Sequence, residues 1–140
     1  MPTMETAQLD HFTIKVSDLI TSTNFYTDVV GFKNGARPDF AFGGAWLYCG
    51  DHPLVHLIDE CSRQALGLAD DNSGPERGMG AMDHVAFRAS GLLEMRQRLI
   101  HMEISFEEQT VPGQGLHQLF FNDPDGIRLE FNFPASEDVK

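Results

Sequence analysis

Two stretches of alternating apolar and polar residues, at 8–16 and 81–89, have nearly the same pattern. Alternation of this kind predicts a β-strand with one buried face. Successive side chains of a strand point to opposite faces, so His11 and His84 fall on the face opposite to the apolar residues. We therefore predict that both histidines lie outside the core.

The two strands begin two copies of one unit. When the Asp-His pairs at 10–11 and 83–84 are aligned, the offset is about half of the chain. A repeat on this scale indicates a duplicated supersecondary unit. The fold class predicted is α+β, a single domain of tandem βαβββ modules that form a cupped mixed sheet. The module and linker bounds are 8–59, 60–80 (linker) and 81–134.

The elements of each module follow from apolar spacing and from turn residues. In the first module, a helix begins after Ser17 or Asp18 and ends at Gly31, which can adopt positive φ. Residues 60–80 show no sustained period, and the polar tail from Pro134 is predicted to fray. The other predicted elements are strands at 32–37, 45–50, 53–59, 104–110, 116–122 and 127–133, and a helix at 91–102.

The last hairpin allows an inference about register. A loop of residues 124–126, with Gly126 in the left-handed region, suits a tight turn and places Phe120 opposite Glu130. Gln118 then also looks toward Glu130. His117 points away, and we interpret it as a structural or surface histidine.

Composition excludes several classes of partner. The formal net charge is −11, which argues against nucleic acid and anionic membrane surfaces as partners. No apolar run approaches the length of a transmembrane helix, and residues 1–7 do not resemble a signal peptide, so the expected location is the cytoplasm. Cys49 and Cys61 are expected to be free thiols.

Two histidines and one carboxylate on strand faces that converge would form a mixed nitrogen and oxygen site for a divalent metal. His11, His84 and Glu130 are the candidate ligands. These residue types permit Fe(II), Mn(II), Zn(II), Ni(II) or Co(II), and the lack of a thiolate disfavours a structural zinc site. The repeat, more than the spacing, strengthens this hypothesis.

These features resemble the vicinal oxygen chelate superfamily, which includes glyoxalase I, bleomycin resistance proteins, fosfomycin-resistance thiol transferases, methylmalonyl-CoA epimerase and type I extradiol dioxygenases. The resemblance covers about residues 8–134. It rests on the duplication, on Phe25-Tyr26 with Gly31-Phe32, and on the run 121–126 followed by Glu130. It implies a metal held by His11, His84 and Glu130, a small-molecule substrate and a homodimer.

His56 lies where the resemblance to glyoxalase I implies a fourth ligand, usually glutamate. Its neighbours in the sequence are aliphatic, so it is either a buried, hydrogen-bonded side chain or a group that faces the metal. As a ligand, it would favour Lewis-acid chemistry on a carbonyl. Otherwise the remaining ligands match the open triad of Fe(II) oxygenases, and His56 could move a proton.

An aromatic cluster predicts the substrate pocket. Phe40 and Phe42 precede the predicted strand that carries Trp46, and an apolar or aromatic small molecule would suit such a lining. The candidate pocket residues are Trp46, Tyr48, Phe120 and Arg37, the last as a clamp for an anionic group.

Three functions remain open at this point. The first is a dioxygenase that acts on a small aromatic, catechol-like molecule, with Fe(II) or Mn(II) as the favoured metal. The second is a lyase, isomerase or epimerase of the glyoxalase kind, in which His56 or Gln118 handles the proton. The third is a drug- or metabolite-binding protein without chemistry.

Overall fold

The computed structural model describes residues 3–68 and 78–138, and its strands form two four-stranded mixed sheets. Contacts divide the chain into two compact units, and the short stretch Asp28–Val30 belongs to the second. The first unit contains β1 (Phe12–Val16), α1 (Leu19–Asn24), β2 (Lys33–Gly35), β3 (Gly44–Cys49), β4 (His52–Asp59) and α2 (Glu60–Ala65). The second contains β5 (Val85–Arg88), α3 (Leu92–His101), β6 (Glu107–Val111), β7 (Leu116–Asn122) and β8 (Arg128–Pro134).

The two sheets have the same topology. Their strand orders are β1-β4-β3-β2 and β5-β8-β7-β6. In each, the first strand pairs in parallel with the last, and the remaining pairs are antiparallel. The α+β fold with two βαβββ modules is therefore confirmed, with each module forming a sheet of its own.

The core of the first unit follows the predicted alternation. Ile14 and Val16 of β1 are 5% and 0% exposed, whereas Thr13 before them is exposed and Lys15 between them is half-buried. Tyr26, which follows β1 in the sequence, is completely buried. Burial of large apolar side chains is the main source of stability here. Because Ile14 and Val16 point into the core, His11, directly before β1, lies on the opposite face.

The first helix begins and ends near the predicted residues. The Asp18 side chain accepts a hydrogen bond from the Thr21 backbone N–H at 2.9 Å, which satisfies one free donor of the first turn. After α1, the chain continues as a π-helical segment, Phe25–Val29. Gly31 follows with φ of 90°, a conformation that suits glycine at a helix end.

The last hairpin has the predicted register. Phe120 pairs with Glu130 and Gln118 with Asn132. The Asp123 backbone N–H donates to the Ile127 carbonyl at 2.8 Å, and Gly126 has φ of 85°. Phe120 and Gln118 therefore share a sheet face with Glu130.

Two segments are more ordered than expected. Residues 60–80 stay a predicted linker, but its start is helical, because α2 begins directly after β4 with Asp59 as its cap. The tail was predicted to fray, yet Ala135–Glu137 form a 3-10 turn. The Glu137 carboxylate accepts hydrogen bonds from Gly91 and Leu92 N–H at 2.8 and 3.2 Å and so caps α3. Asp59 caps α2, and Glu137 joins the tail to α3; such side-chain hydrogen bonds have no periodic signal in the sequence. Residues 69–77 of the predicted linker lie outside the described residues.

Strand ends also differ from the predictions. β2 covers only Lys33–Gly35 of the predicted 32–37, and β6 begins at Glu107, not at 104. Both are outer strands of their sheets, where fewer partners define the ends. Within the described residues, none of the helices is long and apolar enough to cross a membrane.

Candidate active site

The second unit brings two of the predicted ligands together. His84 immediately precedes β5, and Glu130 lies in β8, next to β5 in the sheet. The His84 Nε2 and Glu130 Oε1 atoms are 3.4 Å apart. Glu130 is only 8% exposed, an unusual location for a carboxylate without a cation or other partners.

The preceding aspartate defines the tautomer of His84. The His84 Nδ1 and Asp83 Oδ2 atoms are 2.7 Å apart. Since a carboxylate only accepts, Nδ1 carries the proton, and in the neutral ring Nε2 keeps its lone pair toward Glu130. The same hydrogen bond lowers the pKa of Asp83. Metal-bound histidines are usually oriented in this way by a carboxylate on the other ring nitrogen.

A divalent cation fits this pair. The 3.4 Å separation is longer than the about 2.7 to 2.9 Å typical of a charge-assisted N–H to carboxylate hydrogen bond. Two ligands at about 2.1 Å from one metal, at right angles or tetrahedral angles, lie about 3.0 to 3.4 Å apart. With a neutral His84 ring, this pair would supply one nitrogen and one oxygen donor to a divalent cation.

A chain of amides holds the other oxygen of Glu130. Asn132 donates from Nδ2 to Glu130 Oε2 at 2.9 Å. Gln118 donates to Asn132 Oδ1 at 2.9 Å and accepts from Gln109 Nε2 at 2.6 Å. The predicted catalytic residue Gln118 therefore reaches Glu130 through Asn132.

The first unit repeats half of this arrangement. The His11 Nδ1 and Asp10 Oδ2 atoms are 2.6 Å apart, and this hydrogen bond lowers the pKa of Asp10. The Nε2 atom of His11 is again the one with the lone pair in the neutral ring. His52 contributes a further contact, because its Nε2 is hydrogen-bonded to the Asp10 carbonyl oxygen.

His56 occupies the place of Glu130 in the first unit. His56 pairs with Thr13, two residues after His11, and Glu130 pairs with Ala86, two residues after His84. The side chains at these equivalent positions have different surroundings. The internal repeat therefore keeps the backbone and the first histidine of each unit, but the second unit has Glu130 where the first has His56.

The His56 ring is stacked between two other rings. Its centroid lies 3.8 Å from that of His11 and 4.0 Å from that of Trp46, and the planes are nearly parallel. Its Nε2 is 2.9 Å from the Pro53 carbonyl oxygen. Since a carbonyl only accepts, Nε2 is the donor, and Nδ1 has the lone pair. Burial, and then the nearby His11, lower the pKa of His56.

A cavity of about 610 Å³ opens beside these rings in the first unit. Among the predicted pocket residues, Trp46 and Arg37 line it, and so do His11 and His56. Tyr48 is not among the lining residues, and its hydroxyl donates to the Ala36 carbonyl at 2.6 Å.

Phe120 lies in the second unit, next to His84. Its ring meets His84 edge to face, with centroids 6.2 Å apart. Arg128 covers the Phe120 ring, with Cζ 4.9 Å from the centroid. Phe120 thus helps to place the His84 ring.

His117 is structural, as expected. It is 5% exposed, and its Nε2 lies 2.8 Å from Glu108 Oε1. Arg96 joins the same cluster through Glu108 at 2.6 Å and Asp138 at 2.8 Å. The cluster ties α3, β6, β7 and the chain end together within the second unit.

Sequence reasoning missed two kinds of supporting residue. Asp10 and Asp83 were noted only as parts of a repeat, although an aspartate directly before each histidine was a usable signal. Asn132 was placed on the Glu130 face without a role.

Within residues 3–68 and 78–138, no three histidine, cysteine, aspartate or glutamate side chains form one group that could hold a cation.

Comparisons with known proteins identify the family of this chain. A family model described as the Glyoxalase/Bleomycin resistance protein/Dioxygenase superfamily matches residues 8–131. The chain is 30% identical over 125 residues to Glyoxylase I 4 of Arabidopsis thaliana, covering 87% of this chain and 68% of that protein. It is 26% identical over 146 residues to a lactoylglutathione lyase of Schizosaccharomyces pombe, covering 91% of this chain and 47% of that protein.

A solved structure shows the same fold. The glyoxylase/bleomycin resistance protein/dioxygenase domain from Frankia sp. EAN1pec gives a TM-score of 0.69 at 21% identity and covers 93% of both chains. The chain belongs to the Glyoxalase/Bleomycin resistance protein/Dioxygenase superfamily. The resemblance to vicinal oxygen chelate proteins is confirmed, and the names of the curated relatives bear out the expectation of an enzyme. Those names favour the lyase over the dioxygenase that the sequence placed first.

Proposed function

We propose that this chain is a lyase or isomerase of the glyoxalase I kind that binds a divalent cation and moves a proton next to the carbonyl group of a small molecule. The observation that carries the proposal is the pair of lone-pair donors, His84 Nε2 and Glu130 Oε1, at 3.4 Å. The names of the curated relatives support the choice of reaction.

His11, His84 and Glu130 are the metal ligands in this proposal. Each histidine has Nδ1 engaged by the preceding aspartate, so Nε2 is the atom that binds. When bound, the cation would polarise the substrate carbonyl as a Lewis acid. Zn(II), Ni(II) or Co(II) suits this role and these ligands.

His56 handles the proton in this proposal. Its lowered pKa keeps the ring neutral near pH 7, and Nδ1 then has a lone pair that can accept a proton. The ring lines the cavity that would hold the substrate. Gln118 acts through Asn132 by orienting the Glu130 carboxylate.

The test is metal content combined with turnover. Protein purified without added metal, and then loaded with Zn(II), Ni(II) or Co(II), is analysed for bound metal and for isomerisation of the hemithioacetal of methylglyoxal and glutathione. Wild type should hold near-stoichiometric metal, and Glu130→Gln should lose both metal and turnover. His101→Ala is the matched control, because His101 is exposed at the end of α3 and should change neither. Failure of wild type to take up metal would refute the proposal.

An iron-dependent dioxygenase is the second candidate, and the aromatic lining of the cavity favours it. Trp46, Phe40 and Phe42 all contribute to that lining, which suits a flat aromatic ring. Iron in the purified protein, together with oxygen uptake on addition of catechol, would place this reaction first. Absence of oxygen uptake by the iron-loaded protein would exclude it for catechol.

A further inference from the structure

Arg37, between β2 and β3, is held in a fixed position at the cavity of the first unit. Its Nη2 donates to the Phe42 carbonyl oxygen at 2.8 Å. Its Cζ lies 5.0 Å from the Phe40 ring centroid and 5.3 Å from that of Phe42, within the range of a cation–π contact. The guanidinium is therefore oriented before any ligand arrives.

Gly44 leaves the space that this orientation needs. A Cβ atom at residue 44 would lie 2.9 Å from Arg37 Nη2 and 3.1 Å from its Nε, and it would overlap the Leu57 carbonyl oxygen. Any larger residue would displace the guanidinium or the strand. The absence of a side chain at Gly44, at the start of β3, thus leaves room for the Arg37 guanidinium.

Among the described residues, no neighbouring acid neutralises the charge of Arg37. In the described part of the chain, no carboxylate oxygen lies within 4.0 Å of its guanidinium nitrogens. Asp10 also lines the cavity, but its side chain is engaged by His11. In a protein with a net charge of −11, an oriented cation that has no acidic partner among residues 3–68 and 78–138 suits the binding of an anion from outside.

The remaining lining defines the body of that anion. Trp46, Pro53, Leu57 and Ile58 give the cavity apolar walls, and about 610 Å³ lies within the range of small-molecule sites. Among the described lining residues, Arg37 is the only lysine or arginine. One planar guanidinium suits one carboxylate, which it can bind through two parallel hydrogen bonds.

We propose that Arg37 is a specificity-determining residue that binds a carboxylate group, so that the cavity selects small organic acids with a flat apolar body. This deepens the proposed function, on which it rests for the statement that the bound acid is the substrate. The carboxylate lies on the guanidinium, and the apolar body lies along Trp46, toward His11 and His56.

Trp46 allows the binding to be measured without metal or turnover. It is the only tryptophan of the chain, and it lines the cavity, so its fluorescence reports on this site alone. The probes are benzoate, mandelate and 3-phenylpropanoate, with methyl mandelate as the neutral counterpart and phenyl phosphate as the alternative anion. All titrations use the whole 140-residue chain after EDTA treatment.

In wild type, we expect at least one carboxylate to bind with a Kd at least about tenfold below that of methyl mandelate. Arg37→Met should weaken carboxylate binding about 10- to 100-fold, the range for a lost charged hydrogen bond pair, and leave the ester unchanged. Arg37→Lys, which keeps the charge but loses the planar fork, should fall between the two. Lys33→Met is the matched control, because Lys33 is exposed and outside the cavity lining, and it should bind like wild type.

Several results would overturn the proposal. It fails if none of the three carboxylates binds, or if Arg37→Met and Arg37→Lys both bind them as wild type does. Tighter, Arg37-dependent binding of phenyl phosphate would replace the carboxylate by a phosphate. Since these titrations are made without metal, they can fail while the metal and turnover test succeeds, and the reverse.

Discussion

The two units have the same strand order but different side chains at one equivalent position. In the second unit, Glu130 faces the Nε2 atom of His84. In the first unit, His56 at the same register position is stacked between His11 and Trp46. A duplicated backbone thus supports two different local chemistries, because strand pairing depends on main-chain hydrogen bonds and not on these side chains.

The supporting contacts differ in the same way. The second unit surrounds its carboxylate with amides, through Asn132 and Gln118. The first surrounds its histidine with rings and places Arg37 over a cavity. We infer that the second unit contributes more to metal binding, and the first more to binding of the substrate.

Making the second unit like the first should have the largest effect. In Glu130→His, the carboxylate that faces His84 is lost, and a neutral ring cannot replace its charge. Loss of a residue that only supports a metal ligand already lowers metal affinity about 10- to 100-fold. Since Glu130 is a proposed ligand itself, we expect Zn(II) affinity to fall by at least about 100-fold, measured by competition with a chelator. The reciprocal change, His56→Glu, leaves the His84 and Glu130 pair intact and should not weaken zinc binding. Equal zinc affinity in Glu130→His and wild type would contradict the inference.

The aspartates before the histidines come next. Asp83→Ala removes the carboxylate 2.7 Å from His84 Nδ1, so the ring loses its orientation and its preferred tautomer. We expect about 10- to 100-fold weaker Zn(II) binding, measured in the same competition. Asp10→Ala should act in the same direction through His11, whereas Asp51→Ala, an exposed change in the turn before β4, should have no effect. A change of less than about twofold in Asp83→Ala would show that this hydrogen bond has no part in metal binding.

The ionic cluster of the second unit should matter for stability. Arg96→Met removes the bonds to Glu108 and Asp138 and leaves the buried His117 with an incomplete set of partners. We expect the free energy of unfolding to fall by about 1 to 3 kcal/mol, measured by urea denaturation. Arg88→Met, an exposed change on β5, should stay within about 0.5 kcal/mol of wild type. An unchanged midpoint in Arg96→Met would mean that solvent satisfies the cluster equally well.

The smallest effect expected is a pH dependence from Glu108. Burial alone would raise the pKa of Glu108, but hydrogen bonds from His117 and Arg96 outweigh it, so the pKa lies below its ordinary value of 4.5. Between the pKa of Glu108 in the folded chain and its ordinary value in the unfolded chain, the unfolded chain binds more protons than the folded one. The free energy of unfolding therefore falls as the pH drops below about 4.5. The stability difference between wild type and Glu108→Gln should be largest near pH 6 and shrink toward pH 3. A difference that is constant from pH 6 to pH 3 would contradict this account.

Much of the fold was readable from the sequence. The repeat of Asp-His strands predicted the module order, and the turn after Asp123 predicted the pairing of Phe120 with Glu130, which the structure confirms. α2 could not be predicted, because six residues are too few for a period. The capping of α3 by Glu137 joins residues distant in sequence, so no local pattern contains it.

The candidate site was readable only in part. The residue types and the face of each histidine followed from alternation, and the structure places Glu130 beside His84 as expected. The side-chain hydrogen bonds from Asn132 and Asp83 depend on rotamers, which the sequence does not reveal. The stacking of His56 and the placement of Arg37 over Gly44 depend on the same kind of detail.

The sequence by itself determined the duplicated backbone, the core-facing residues and the residue types of the candidate ligands, because these depend on periodicity and on local turn chemistry. Only the tertiary structure decided which side chains meet: His84 with Glu130, His56 with Trp46, and Arg37 with Phe42. The physical reason is that two equivalent strands present their side chains in the same directions, while the partners of those side chains come from other strands and loops that the repeat does not specify.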